Sequence, residues 1–177
     1  GRQDGACAEL CLGEGGSEIG CDPHDFAKAQ LGAGTVLPTG GAVFVSVKDG
    51  DKAPIVPAVR ALVDAGFAIV ATGGTADHLA RAGLPVERIN KIAQGRPHIG
   101  DRIADGGIDL IFNTTEGWQS LKDSKPIRQA ALAARIPYFT TAPASVEAAK
   151  AIASGATANG GVLEVKPLQA YYSQSHD

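Results

Sequence analysis

Phe67-Ala-Ile-Val-Ala71 followed by Thr72-Gly73-Gly74-Thr75, and Ile108-Asp-Leu-Ile-Phe112 followed by Asn113-Thr-Thr-Glu-Gly117, decide how this chain folds. Each is a short apolar run that stops in a hydroxyl-rich turn. Runs of this length rich in Ile, Val and Phe read as strands buried on both faces. In an open α/β sheet the carboxyl ends of neighbouring strands face one crevice, so two such turns can meet although they are far apart in sequence. Between them lie Asn90-Lys91 and Gly95-Arg96-Pro97-His98-Ile99-Gly100-Asp101-Arg102. The chemistry gathered in this way suits a phosphate-bearing ligand. Gly73 and Gly74 let backbone N–H groups approach an oxyanion, Thr72 and Thr75 supply hydroxyls, and Lys91 supplies countercharge.

Working outward, an α/β alternation extends from about residue 42 to about 153. Strands are expected at 42–47, 67–71, 86–89, 108–112 and 138–141. Helices are expected at 26–31, from Pro54 to Val63 with Ile55, Val59 and Leu62 as the buried stripe, and at 76–82, 98–104, 126–135 and 145–153, with a last helical turn at 167–172. This pattern specifies one three-layer α/β domain built on a mainly parallel five-stranded sheet. The compact domain is expected over 41–177. Residues 1–40, with five glycines between Gly5 and Gly20 and with Pro38 near their end, read as a loose leader, junction and linker.

Composition sets bounds on the function. The chain has 177 residues, 44% of them hydrophobic and 20% charged, which suffices for one ordinary domain with flanking chain. A net charge of −3 without a basic block argues against a nucleic-acid or anionic-membrane partner. No apolar run approaches a membrane span and no signal segment opens the chain, so a cytoplasmic location is expected. The sequence contains no Met, even at position 1, and is expected to be a piece of a longer protein. Cys7, Cys11 and Cys21 with His24 could compose a zinc site. Their spacing matches no standard finger, and reduced thiols are the preferred reading, with no metal or cofactor expected in this piece.

Each chemical candidate has a plainer alternative. Gly-Gly between threonines is a common turn, and it is neither a P-loop nor a dinucleotide fingerprint. The second cluster, Asn113, Thr114 and Thr115, strengthens the ligand reading because a turn alone needs no such donors and acceptors. Asp51 and Lys52 follow the first strand and are turn charges by default. Their place at a third strand end makes Lys52 a second candidate cation. His98 and Asp101 stand at a helix start, where a structural role outweighs acid–base work. No nucleophilic triad is present.

Ser46-Val-Lys-Asp-Gly-Asp-Lys52, Ala71-Thr-Gly-Gly-Thr-Ala76, Asn90-Lys-Ile-Ala-Gln-Gly-Arg-Pro-His-Ile-Gly-Asp-Arg-Ile103, Ile111-Phe-Asn-Thr-Thr-Glu-Gly117 and Asp123-Ser-Lys-Pro-Ile-Arg-Gln-Ala130 closely resemble the carboxyl-terminal, methylglyoxal-synthase-like regulatory domain of the large subunit of carbamoyl-phosphate synthase. The resemblance covers about residues 26–172, and Ser17-Glu-Ile-Gly20 faintly resembles the end of the preceding domain. It implies a domain that catalyses nothing itself and binds nucleoside monophosphate effectors, with uridine or inosine monophosphate as examples, and ornithine, so as to tune carbamoyl phosphate synthesis for arginine and pyrimidine biosynthesis. The implied effector site comprises Ser46, Lys52, Thr72, Gly74, Thr75, Lys91, Asn113, Thr114, Thr115 and Ser124. Tyr138 and Thr140 fall on the ornithine side, where Phe139 departs from the polar residue expected. The implied partners are the rest of the large subunit, which would carry the ATP and divalent-metal sites, and a glutaminase small subunit, with oligomerisation open. The rival reading is a methylglyoxal synthase, a phosphate-eliminating lyase with Asp101 as base. A docking module without ligand is the third.

Overall fold

A computed structural model of the protein describes residues 22–155. The zinc candidates Cys7, Cys11 and Cys21, the 17–20 match and the helical turn at 167–172 lie outside these residues. Among the described residues the element order is α1 (Pro23–Gly32), β1 (Ala42–Ser46), α2 (Lys52–Asp64), β2 (Ala68–Thr72), α3 (Gly73–Arg81), β3 (Glu87–Ile89), α4 (Ile99–Ala104), β4 (Leu110–Asn113), α5 (Gly117–Ala133), β5 (Tyr138–Phe139) and α6 (Ala142–Ala153). Short 3₁₀ turns occupy Asp49–Asp51 and Ile92–Gln94.

The five strands form one sheet in the order β3-β2-β1-β4-β5, and each adjacent pair is parallel. β1 is central, pairing Val43, Phe44 and Val45 with Leu110, Ile111 and Phe112 on one side and with Ile69, Val70 and Ala71 on the other. All nine of these residues are buried. This follows from parallel strands covered on both faces, which have no solvated side to carry polar alternation.

Strand side chains alternate between two cores. Val43, Val45, Ile69, Leu110 and Phe112 face α1, α2, α3 and α6, where Ile55, Leu62, Leu79 and Ala148 complete the larger core. Phe44, Val70 and Ile111 face α4 and α5 and meet Ile99, Ile103, Ile127 and Ala131. Close packing of α6 rests on alanine: Ala144, Ala148, Ala149 and Ala151 are all buried, which lets its backbone approach the facing elements. At the amino end of β1 the Asp109 carboxylate accepts the Ala42 N–H at 2.8 Å and lies where any side chain at Gly41 would have to sit.

The fold departs from the sequence expectation in particular places. Helix α3 begins at Gly73, so the Gly-Gly pair forms its first turn and is not a loop before it. Helix α5 begins at Gly117, nine residues before the expected start, and continues through Pro126. Helix α1 falls in the span expected as leader and linker, yet Phe26 and Ala27 are buried, as is Leu37 beyond it. The Asp22 carboxylate accepts the His24 N–H at 2.7 Å and caps α1, and Pro23 takes the helix start, where its missing donor costs nothing. Phe26 then stands 6.1 Å from Phe139, ring to ring, and Phe139 in turn meets Phe112 edge-on at 6.0 Å.

If α1 is integral to the domain, Phe26→Ala should lower unfolding free energy by about 3 kcal/mol, the usual cost of deleting a buried phenyl ring. Urea denaturation followed by circular dichroism measures it, and a loss below about 1 kcal/mol contradicts the integral role.

Candidate functional site

The strand order reverses at β1, because the chain runs outward through β2 and β3 on one side and through β4 and β5 on the other. Such a reversal leaves a crevice at the carboxyl ends of the two diverging strands. Here Ser46 and Asn113 are register partners at the ends of β1 and β4. A cleft of about 690 Å³ opens above them. It is lined by β1, β2 and β4 ends (Ser46, Thr72, Asn113), by the first turn of α3 (Gly74, Thr75), by Lys52 and Lys91, and by Thr114, Thr115 and Ser124. These ten residues are the ones the family resemblance implies for the effector site, and they line one cavity, whereas Gly73, named with Gly74 for its backbone N–H, is not among the lining residues.

The hydroxyls divide into two groups. Thr75 Oγ1 accepts the Val47 N–H at 3.2 Å and lies 3.4 Å from the Val47 carbonyl, and Thr114 Oγ1 accepts the Lys48 N–H at 3.1 Å. Both threonines are buried, and their hydroxyls fasten the chain as it leaves β1. Thr72 and Ser46 join each other at 2.9 Å. Thr72 is the N-cap residue of α3, but its hydroxyl makes no capping bond. Among the described residues no side chain accepts a hydrogen bond from the first-turn N–H groups of α3, and a helix start in this condition attracts anions through its donors and its dipole.

Lys52 stands over that helix start. A methyl group added at Gly74 would lie 3.0 Å from Lys52 Nζ, so glycine is what lets the ammonium come this close. An ammonium beside the positive end of a helix is electrostatically opposed, and the Asp49 carboxylate, 2.6 Å from Nζ, offsets the opposition. That contact, by hydrogen bond and charge together, holds the Asp49 carboxyl below the usual carboxylate range. Lys91 is exposed, and Lys48 and Lys122 add two further cations to the lining. Lys122 was missed because the sequence reading began α5 at Pro126. Pro126 has no N–H, so the Lys122 carbonyl loses its intrahelical donor beside the cleft. Ile92, Pro126 and Ile127 supply an apolar wall.

Tyr138 and Thr140 do not line the cleft. Tyr138 is linked to it through Asn113, whose Nδ2 donates to Tyr138 Oη at 2.7 Å, while Arg128 Nε donates to the same oxygen at 3.3 Å. The Arg128 guanidinium also sits 5.8 Å from the centre of the ring. Asp101 lies outside the cleft lining and builds the start of α4. Its carboxylate accepts the His98 N–H at 3.1 Å while His98 Nδ1 accepts the Asp101 N–H at 3.2 Å, and Arg96 lies 3.3 Å away. The helix-start role thus accounts for both His98 and Asp101. Among the described residues no group of three or more His, Cys, Asp or Glu could hold a metal ion, and no helix is long and apolar enough to cross a membrane.

Comparison with known proteins matches residues 54–140 to the MGS-like domain family. The chain is 46% identical over 160 residues to the carbamoyl phosphate synthase large chain of Rhizobium meliloti (strain 1021), covering 89% of this chain and 14% of that one. It is 47% identical over 148 residues to the large chain of Mesorhizobium japonicum, covering 84% of this chain and 12% of that one. With the large chain of Pseudomonas syringae pv. tomato the identity is 56% over 124 residues, covering 70% of this chain and 11% of the relative. The chain thus spans a small fraction of the curated relatives it matches.

Burial pushes the Tyr138 phenol above its ordinary value, against the Arg128 hydrogen bond and charge and the Asn113 hydrogen bond, which pull it down. A phenol that ionises later in the folded state contributes stability that is complete below about pH 10 and is lost as pH rises through the folded value. Absorbance titration at 295 nm should show one phenol ionising later than the reference, and Tyr138→Phe should remove that late component. Persistence of the late component in the variant contradicts the assignment.

Proposed function

The chain belongs to the MGS-like domain family in the form carried by carbamoyl phosphate synthase large chains, and we propose that it serves such a chain as an allosteric domain that binds a nucleoside monophosphate in the β1–β4 cleft. The observation that carries this reading is the uncapped start of α3 beneath the Lys52 ammonium. The phosphate is assigned to the α3 first-turn N–H groups with Thr72, Lys52 and Lys91. The ribose hydroxyls are assigned to Asn113, Thr115, Ser124 and the Lys122 carbonyl, and the base to the wall of Ile92, Pro126 and Ile127. Such a division, with few polar groups for orientation and an apolar wall for the ring, is usual for small-molecule sites.

Ornithine is retained as a second effector at Tyr138 and Thr140, of which Tyr138 meets the cleft residue Asn113. Asn113 bonds to Tyr138 and lines the cleft, so a ligand on either side would act on one shared contact. The remainder of the large chain, with its ATP and divalent-metal sites, and a glutaminase small subunit are the partners in the cytoplasm, and the domain itself does no chemistry. Regulation then works as a population shift: the effector binds one arrangement of the domain against its neighbours more tightly than another, with a coupling of about 1–3 kcal/mol. The lyase reading is disfavoured because Asp101 is taken up by the α4 start and Arg96, outside the cleft.

Calorimetric titration of the 177-residue chain with uridine monophosphate, inosine monophosphate, ornithine and a triose phosphate tests the reading. A nucleoside monophosphate should bind, and Lys52→Ala should weaken it about 10- to 100-fold, the usual loss for a charge-assisted hydrogen bond. Equal affinity in the variant, or methylglyoxal released from the triose phosphate, contradicts it.

A further inference from the structure

Two carboxylates that an anion-binding site does not need, Asp49 and Glu116, line the cleft, and Asp49 is the one paired with Lys52. It lines the cavity, and its carboxylate is 94% exposed, yet it reaches back 2.6 Å to Lys52, the 19%-exposed cation over the α3 start. We propose that Asp49 is a built-in competitor: its carboxylate occupies Lys52 while the cleft is empty, and an incoming phosphoryl group must displace it, so Asp49 sets the affinity threshold of the site. The inference rests on the cleft being the effector site.

Three features make the exchange local. The backbone on either side is fixed, with Thr75 and Thr114 holding Val47 and Lys48 before Asp49 and the helix α2 beginning at Lys52 after it. The 3₁₀ turn between them, Asp49–Asp51, contains no buried residue, so the Asp49 side chain can rotate into solvent without disturbing the core. The two groups also compete for one position. Lys52 Nζ lies close to Gly74, so a phosphoryl oxygen that reaches the α3 donors meets the same ammonium that Asp49 contacts.

A tethered carboxylate has a high effective concentration at Lys52. It brings one negative charge and, from its place beside Lys52, no bond to the α3 first turn, for which no side-chain acceptor is present among the described residues. A phosphoryl group brings up to two charges together with oxygens for those donors. The competitor therefore excludes weak monoanions and yields to phosphomonoesters, which makes it a determinant of specificity as well as affinity.

Isothermal titration of the full 177-residue chain with uridine monophosphate and with inorganic phosphate, in wild type and Asp49→Asn, tests the inference. Asp49→Asn should bind both probes about 2- to 5-fold more tightly at low salt, with the gain shrinking as salt screens the exposed carboxylate. Asp51→Asn, which removes the same charge two residues away and outside the cleft lining, should give less than half that gain. If the wild type binds uridine monophosphate and Asp49→Asn binds it equally or more weakly, or if Asp51→Asn gives the same gain, the competitor role is overturned while the effector reading survives. If neither form binds either probe, both are overturned.

Discussion

The exit of β1 is held by two threonine hydroxyls, and the cleft depends on them. Thr75 comes from α3, on the β2 side, and Thr114 comes from the end of β4, so their bonds to Val47 and Lys48 tie both neighbours of the central strand to the same two backbone units. A parallel sheet whose order reverses at its centre tends to splay at that point, since the chain leaves β1 and β4 toward opposite faces. These side-chain bonds set the width of the opening and keep buried backbone groups satisfied where the ladder ends. With the opening fixed, the α3 start, Lys52 and Asp49 meet at one place.

Charge then explains why the place is poised for an anion. Lys52 beside a helix start adds positive potential to positive potential, and this is tolerated because Asp49 stands within 2.6 Å. The structural hydroxyls of Thr75 and Thr114 contribute by geometry, and those of Thr72 and Ser46 remain near the surface of the cleft as a bonded pair that a ligand oxygen can enter.

Much of this was legible from residue order. Apolar runs ending in Thr-Gly-Gly-Thr and Asn-Thr-Thr mark strands whose ends carry polar work, and the ten residues that the family resemblance implies for the effector site line one cavity. The start of α3 was not legible, because glycine has poor helix propensity and a Gly-Gly pair reads as a turn, although the first turn of a helix asks only for N–H groups. The early start of α5 was hidden by Pro126, which ordinarily ends or begins a helix. A threonine hydroxyl looks the same in sequence whether it meets a ligand or a backbone N–H, so the fastening roles of Thr75 and Thr114 needed coordinates. Asp49 drew no reading of its own beside the turn charges Asp51 and Lys52, and nothing in the 26–31 run announced the burial of Phe26.

The central claim is that the amide groups at the start of α3 receive a phosphoryl oxygen. The most direct measurement is a nitrogen-15 NMR titration of the chain with uridine monophosphate, following the backbone amides of Gly73, Gly74 and Thr75. The account predicts that these three amides shift together and saturate at the same concentration as the calorimetric binding. Saturable shifts elsewhere in the domain with these three unmoved contradict it.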